Sequence, residues 1–449
     1  MKRNFYISLF LIFVLSILFR IGLFYEKWDN LRHGSAAGYG SVAIGLFNKQ
    51  GLTFNLVEVS KIEQEENNHS GNYLRFYEGE NRKKFIEFLP GPAILLSLVW
   101  KIIPLYNFVP YIWLQIFLDS ILILLFYLVF KSHDNTITLI ATIFMIFNVA
   151  TVKRTLTMGY DFWPQFCVLV NFVGITVALG KEKNAIILFL TGILTALTVW
   201  FREITSFLPF CISILLFLYF GLHLKFNIKH IVFKVALYLL PVMISLGVLS
   251  MYRYSTTGNL RPTRSTFWHS FFAGVGQFSN PYGLRSLDSD ISEFAKRSNK
   301  KLEDWNGEGM AEFPNSIYET TLRKEAFHFV TEYPFLFIRN TFYRICIMIS
   351  PFLYVPKESM LYPLHSCLFP FKVLSLIFWF LGMCYVYRRH NLLFWLSSTI
   401  YLYFFLAFGW FYVVGSVFLS FFFINVFIYL FGIKSVILNI RLPIKLKVG

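Results

Sequence analysis

The side chains best suited to chemistry in this sequence are charged residues that stand directly beside long apolar segments. Asp161 lies in the connection "TVKRTLTMGYDFWPQF" (151–166), among aromatic residues and a proline, where an acid needs a partner. Lys153 and Arg154 precede it in the same connection. The carboxylate suits a general base, an orienting group for a hydroxyl or a metal ligand, and a structural role is equally compatible with the sequence.

Charged residues also mark the ends of other apolar segments. Glu26 and Asp29 follow the first segment within "FYEKWDNLRHG" (24–34), where a solvated loop acid is the simpler interpretation of Asp29. Arg202 and Glu203 stand side by side at the end of a later segment. They either form an ion pair at a helix terminus or leave Arg202 to face an anion.

The long polar stretch after residue 252 begins with basic residues and later contains two closely spaced acids. The basic residues predict a cradle for a lipid phosphate or, equally, ordinary headgroup binding. The acids form the DxD-like motif "LDSD", for which solvation in a loop is the simpler interpretation and which leaves a divalent metal open. The residues concerned are Arg253, Arg261, Arg264 and His269 for the basic group, and Asp288 and Asp290 for the motif.

The elements that must position these residues are membrane helices. Of 449 residues, 56% are hydrophobic, 15% are charged and 54 are Phe, and apolar runs of spanning length recur along the chain. The net charge of +16 indicates basic cytoplasmic loops facing anionic lipid rather than a nucleic-acid partner. The five cysteines include no CxxC pair and are interpreted as packing residues.

The predicted fold is all-α and polytopic, with about ten transmembrane helices. The basic N-terminus followed by a long apolar run, without a convincing cleavage site, predicts a retained first helix. Asp119, well inside the second helix, requires a partner such as an Arg or Ser on a neighbouring helix. The predicted helices lie near 5–24, 109–130, 136–152, 164–180, 184–201, 205–222, 231–252, 371–387, 391–408 and 411–432.

Lysine and arginine in the short connections predict which sides those connections occupy. If 88–104 ("FLPGPAILLSLVWKIIP") and 337–355 lie flat as interfacial helices, every basic connection falls in the cytoplasm. A small or polar stripe of Ala93, Ser97 and Lys101 suits a helix in the headgroup region.

The predicted domains follow from this topology. Residues 1–252 form a seven-helix module whose first extracytoplasmic loop is 25–108. Residues 253–355 form a second extracytoplasmic loop with interfacial helices, and residues 356–449 form a three-helix module.

Both large loops contain segments with apolar residues at helical spacing. Residues 38–51 predict a helix with Gly40 and Ser41 on its polar face. Residues 318–334 predict a helix whose apolar face includes Leu322 and Phe329. Such helices lie on membranes or cover membrane-embedded sites.

Five stretches along 25–345 together carry a resemblance to a known class of enzymes. They are "GYGSVAIGLFNKQGLTF" (38–54), "FLPGPAILLSLVWKI" (88–102), "TVKRTLTMGYDFWPQF" (151–166), "LTALTVWFREITSFLPF" (194–210) and "AFHFVTEYPFLFIRNTFYRI" (326–345). In order and spacing they resemble the GT-C class of membrane glycosyltransferases, which includes protein O-mannosyltransferases and lipid A aminoarabinose transferases.

The resemblance implies an inverting glycosyltransferase, transferring a hexose or pentose from a polyprenyl-phosphate donor to a glycan, lipid or protein acceptor. The charge-based topology puts catalysis on the outer face of the membrane, and the Lys-, Asn- and Phe-rich composition suggests a bacterial cytoplasmic membrane. Membrane lipid is a further expected partner, and nucleic acid is not. No cofactor is assigned, and a divalent metal is left open. The alternatives are a flippase or other transporter of polyprenyl-linked glycans, and an O-antigen polymerase.

The resemblance also implies roles for individual residues. Asp29 and Asp161 become the catalytic carboxylates, although Gly38 or Gly40 stands where the class has an acid before its first-loop helix. Further candidates are Glu26, Glu203, His269, Asp288 and Asp290. The residues implied to bind the donor phosphate are Lys153, Arg154, Arg202, Arg261 and Arg264.

Overall fold

A computed structural model describes most of the chain. The described ranges are 2–27, 36–65, 71–85, 89–159, 162–180, 185–223, 226–258, 260–262, 267–303, 317–349, 369–408 and 422–441. The chain forms two compact units, Met1–Thr263 and Arg264–Gly449. The division into three parts at residues 252 and 355 stays a prediction.

The first unit contains eleven described α-helices and a short antiparallel pair of strands. The strands are β1 (Thr53–Phe54) and β2 (Lys83–Lys84), with Thr53 opposite Lys84. The helices are α1 (Lys2–Lys27), α2 (Ala36–Phe47), α3 (Leu56–Glu65), α4 (Gly91–Ile102), α5 (Val109–Phe130), α6 (Asn135–Phe147), α7 (Val149–Thr155), α8 (Phe162–Ala178), α9 (Ala185–Thr198), α10 (Leu208–Leu218) and α11 (Ile228–Thr257).

Three described helices are long and apolar enough to cross a bilayer, namely α1 over Tyr6–Glu26, α5 and α11. Helices α6 and α7 pass the same test as a pair, although they meet at an angle of 59°. Shorter apolar stretches of 10–17 residues are also present, including Asn391–Leu406 and Phe422–Leu438 within longer helices. The chain is therefore a helical multi-pass membrane protein, and the figure of ten spans remains a prediction.

The stretch 88–104 contains α4, which has 12 residues. Such a helix rises about 18 Å, well short of the roughly 30 Å hydrocarbon core, so its length favours the prediction that it does not span. The predicted headgroup stripe is wrong in part. Ala93 and Ser97 are buried where α4 packs on α2, and Lys101 alone of the three is exposed.

Helix α2 is also more enclosed than its sequence pattern predicts. Gly40 and Ser41, expected on the polar face, are both buried. The reason is that the first loop folds back over this helix, so that α2 contacts α3, β1 and α4. Its Tyr39 and Val42 enter a core that also includes Trp100.

A buried ion pair holds the folded first loop together. Glu58 and Arg82 form a salt bridge in which both side chains are almost fully buried. Ser41 donates a hydrogen bond from its hydroxyl to Glu58, and Glu58 accepts another from the backbone N–H of Glu78 (2.9 Å). Arg82 donates to the carbonyls of Ser41 and Thr53 (2.9 Å each).

The second unit contains seven described α-helices. In α14 the predicted apolar residues Leu322, Ala326 and Phe329 are buried, which confirms the helix expected over 318–334. The last helix begins at Phe422, and 411–421 of its predicted span lie outside the described residues. The helices are α12 (Phe267–Val275), α13 (Asp288–Ser298), α14 (Ile317–Glu332), α15 (Pro334–Ile349), α16 (Phe369–Arg389), α17 (Asn391–Phe408) and α18 (Phe422–Arg441).

Candidate active site

Lys153 and Arg154 lie on a short helix that is set at an angle to its predecessor. The sequence predicts one span over 136–152, but the helix breaks at Asn148, whose backbone is extended. The Asn148 side chain accepts a hydrogen bond from the N–H of Thr151 (2.9 Å) and so caps the new helix α7. The two cations therefore lie near the end of a separate seven-residue helix, with Lys153 exposed and Arg154 half-buried.

A buried ion pair between two earlier helices contacts the end of α7. Arg20 and Asp119 are 0% and 1% exposed, and Arg20 Nη2 lies 2.6 Å from Asp119 Oδ2. Thr155, the last residue of α7, donates its hydroxyl to the same carboxylate oxygen (3.0 Å). Asp119 thus has the arginine partner that its position in an apolar helix requires, and the pair also reaches the helix carrying the cations.

The hydroxyl of Tyr111 binds the residues on both sides of the predicted catalytic position 161. It donates to the carbonyl of Gly159 (3.1 Å) and accepts from the indole N–H of Trp163 (3.0 Å). Gly159 has φ of 152°, a conformation that favours glycine. Asp161 itself lies outside the described residues, but Gly159 and Trp163, two positions before and after it, both hydrogen-bond to α5 through Tyr111.

The turn after α9 meets this region through aromatic stacking. The rings of Trp163 and Phe201 are stacked with centroids 3.7 Å apart. The backbone N–H of Gly91, at the start of α4, donates to the carbonyl of Trp200 (2.8 Å). A Cβ atom at Gly91 would lie 2.5 Å from that carbonyl oxygen, so this approach requires glycine.

Three segments that are distant in sequence therefore meet in the first unit: the start of α8, the turn at 198–203 and the start of α4. Arg202 and Glu203 belong to the second of these segments and are both half-buried. Glu26 is exposed at the end of α1, and Arg261 is exposed after α11.

The second unit holds the remaining predicted residues in a different environment. His269 is buried, with its Nδ1 2.6 Å from the hydroxyl of Tyr318 and its Nε2 3.0 Å from the carboxylate of Asp288. Glu319 accepts the backbone N–H groups of Trp268 (3.0 Å) and His269 (3.3 Å). Burial raises the pKa of the Tyr318 hydroxyl and, despite these two hydrogen bonds, the pKa of Glu319.

The two acids of the DxD-like motif bind different side chains. Asp288 contacts His269, whereas Asp290 pairs with the guanidinium of Arg285 (2.8 Å), which lowers the pKa of Asp290. The motif therefore does not present two carboxylates to one metal ion. Within the described ranges, no group of three or more His, Cys, Asp and Glu side chains is arranged to hold a metal.

Three predicted residues, Asp29, Asp161 and Arg264, lie outside the described residues. The roles assigned to all candidate residues remain predictions. Sequence reasoning missed Arg20, Tyr111, Thr155 and Gln165. A signal was present only for Arg20, which interrupts the apolar run of the first helix and so calls for a buried acid.

Comparisons with known proteins give a fold but no family. No sequence-family profile and no curated protein matches the chain. Its structure is similar to the crystal structure of the Archaeoglobus fulgidus oligosaccharyltransferase in the apo form, with a TM-score of 0.50 and 13% identity. That similarity covers 97% of this chain and 51% of the other.

A second similar structure is the oligosaccharyltransferase AglB from the same archaeon, in complex with an inhibitory peptide and a dolichol-phosphate. Its TM-score is 0.50 at 14% identity, over 98% of this chain and 51% of that one. The chain thus spans about half the length of the structures it matches. At these identities the likeness is one of fold, and it supports the expected GT-C-like fold class.

Proposed function

We propose that this protein is an inverting glycosyltransferase that uses a polyprenyl-phosphate sugar and acts at the outer face of a membrane. The acceptor is a glycan, a lipid or a protein. The observation that carries the proposal is the contact between the start of α8 and the turn at 198–203, through the stacked rings of Trp163 and Phe201. This contact joins the start of α8, which follows Lys153 and Arg154 in the chain, to the turn that contains Arg202, in a chain with a GT-C-like fold.

The proposed chemistry needs a base and a stabilised leaving group. A carboxylate, Asp161 or Asp29, removes the proton from the acceptor hydroxyl while that oxygen attacks the anomeric carbon. The bond from this carbon to the donor phosphate oxygen breaks, and the polyprenyl phosphate leaves with the electron pair. Attack from the face opposite the phosphate inverts the anomeric configuration.

The cations take the role of stabilising the leaving phosphate. Lys153 and Arg154 lie on one short helix, and Arg202 lies in the turn that contacts Trp163. Charge-assisted hydrogen bonds to phosphate are strong, and cations fixed before the reaction need no rearrangement when charge develops. Lys153 is exposed and therefore accessible to a headgroup.

A lipid-linked donor is supported by fold likeness as well as by charge. AglB, with a similar fold, binds a dolichol-phosphate. The transporter alternative is less well supported because it calls for intramembrane charges that line a cavity. Arg20 and Asp119 are instead buried against each other.

Binding of polyprenyl phosphate tests the donor site directly. Native mass spectrometry of the purified protein should detect polyprenyl phosphate bound in preference to the matching polyprenol. The variant Lys153→Gln should weaken binding of the phosphate about tenfold, the effect of losing one charge-assisted contact. Lys101→Gln, which removes an exposed lysine of α4, is the matched control. Equal binding of phosphate and alcohol by the unaltered protein would overturn the proposal.

Replacement of the carboxylates tests the base. Asp161→Asn should abolish sugar transfer from a polyprenyl-phosphate donor while binding of polyprenyl phosphate persists, because the amide cannot accept the proton. Asp29→Asn tests the alternative base in the same assay. Glu63→Gln removes an exposed first-loop acid and controls for general charge loss. Full transfer activity in both aspartate variants would exclude these residues as bases.

A further inference from the structure

The carboxylate of Asp119 reaches the end of α7 as well as its own ion-pair partner. Thr155 donates its hydroxyl to Asp119 (3.0 Å), and Gln165, at the start of α8, lies 3.4 Å from the other carboxylate oxygen. Ser16 fixes Arg20 by accepting from its Nη1 (2.9 Å). One buried acid therefore links α1, α7 and α8 to α5.

A second side chain of α5 binds the same turn of the backbone. The Gln115 amide faces the carbonyls of Thr155 (3.0 Å) and Thr157 (3.3 Å), and assigning its nitrogen to this side lets it donate to both. These carbonyls lie at the C-terminal end of a helix, where no intrahelical donor is present. Gln115 and Asp119 are four residues apart and thus on one face of α5.

We propose that Asp119, held in place by Arg20, is a positioning residue for the cationic turn of α7. Asp119 fixes the hydroxyl of Thr155, which directly follows Lys153 and Arg154 in sequence. The effect on a bound phosphate passes through these two cations, so this inference rests on the proposed function.

The need for an anchor follows from the form of α7. A helix of seven residues is too short to be stable by itself, so its orientation depends on tertiary contacts. Helix α7 lies at 59° to α6 and is therefore not a straight continuation of that helix. The contacts to Asp119 and Gln115 are hydrogen bonds, which depend on direction as well as length. They therefore fix the rotation of α7 about its axis as well as its distance from α5.

The substitution Thr155→Val tests the anchor without leaving a charge unpaired. It keeps the shape of the side chain and removes the one hydroxyl that α7 gives to Asp119. Thr142→Val is the matched control, because Thr142 is equally buried but donates only to a carbonyl of its own helix (Thr138, 2.7 Å). Thr155→Ser keeps the hydroxyl and should restore unaltered behaviour.

Two measurements separate this inference from the proposed function. Amide hydrogen exchange over 149–159 should become about tenfold faster in Thr155→Val than in Thr142→Val, with no donor present. The dissociation constant for polyprenyl phosphate should rise about tenfold, while that for polyprenol is unchanged and Thr155→Ser binds normally.

The outcomes are distinct. Unchanged exchange in Thr155→Val would overturn the positioning role. Exchange could be faster in Thr155→Val while the unaltered protein does not bind polyprenyl phosphate. That result would support the positioning role of Asp119 and refute the proposed donor site. Equal weakening of phosphate binding in Thr142→Val and Thr155→Val would also overturn the inference, since it would reflect general destabilisation.

Discussion

Two buried arginine–carboxylate pairs in the first unit are satisfied in different ways. Arg20 and Asp119 lie within apolar helices, and the contacts of Asp119 are with the side chains of Arg20, Thr155 and Gln165. Glu58 and Arg82 lie in the folded first loop, where Arg82 donates to three backbone carbonyls, those of Ser41, Thr53 and Glu78.

The difference follows from what each environment offers. In an apolar helix most backbone groups already bond to one another, so a buried charge depends mainly on side chains. Within the described residues, Arg20 accordingly donates to a single backbone carbonyl, that of Ser16 (3.1 Å). In a loop the carbonyls are available, and a guanidinium with five donors binds several at once. The helix pair should therefore depend far more on each single side chain than the loop pair does.

The largest expected effect is the loss of one charge from the helix pair. Asp119→Leu leaves Arg20 buried without its carboxylate and should lower the free energy of unfolding by about 3–5 kcal/mol. The double variant Arg20→Met/Asp119→Leu removes both charges and should recover most of this loss. Thermal unfolding in detergent, followed by tryptophan fluorescence, measures both. A double variant less stable than Asp119→Leu would contradict this account.

The loop pair should tolerate the corresponding change better. Glu58→Gln removes the charge but keeps an acceptor, and Arg82 retains its carbonyl partners. The expected loss is about 1.5–3 kcal/mol, the range for a hydrogen bond to a charged group. The same unfolding assay gives the value. A loss as large as that of Asp119→Leu would remove the proposed distinction between the two pairs.

Serine substitutions beside the two ion pairs should change the free energy of unfolding less, and in a predicted order. Ser41→Ala removes the hydroxyl that accepts from the backbone N–H of Asn55 (2.9 Å), so that a buried donor loses its acceptor. Ser120→Ala removes only an acceptor for Ser16, which still binds Arg20. Ser41→Ala should be the more destabilising by about 1 kcal/mol. The reverse order would show that the helix network depends on its hydroxyl chain.

The sequence predicts these environments to different degrees. The bounds of α5 agree with the predicted 109–130, because Pro110 is its second residue and polar residues follow Phe130. Asp119 was expected to find an Arg or Ser, but the choice of Arg20, 99 residues away, depends on helix packing that periodicity does not encode. Burial of the Ser41 face could not be predicted for the same reason, since it depends on what covers α2.

The break between α6 and α7 shows a different limit. The segment 136–152 is apolar along most of its length, so its average hydropathy predicts one helix. The break is caused locally by Asn148, whose side chain caps α7 through the N–H of Thr151. The cations were expected at the end of one long helix, and their placement on a separate, angled helix was missed. Asp29 and Asp161 lie outside the described residues, so their roles stay predictions.

A third buried carboxylate, Glu319 in the second unit, extends the comparison to backbone donors. It accepts two N–H groups at the start of α12, yet burial raises its pKa above the ordinary 4.5. A carboxyl group whose pKa is raised on folding stabilises the fold at low pH, and this stability is lost as pH rises through the raised pKa.

The unfolding temperature should therefore fall as pH rises from the ordinary pKa of Glu319 through its raised pKa. The fall should be larger in the unaltered protein than in Glu319→Gln, whose amide oxygen still accepts both N–H groups. Glu293→Gln, on the exposed face of α13, is the control and should follow the unaltered protein. If Glu319→Gln shows the same pH dependence as the unaltered protein, the two backbone donors compensate for the burial of Glu319, whereas Asp119 and Glu58 each pair with a buried arginine.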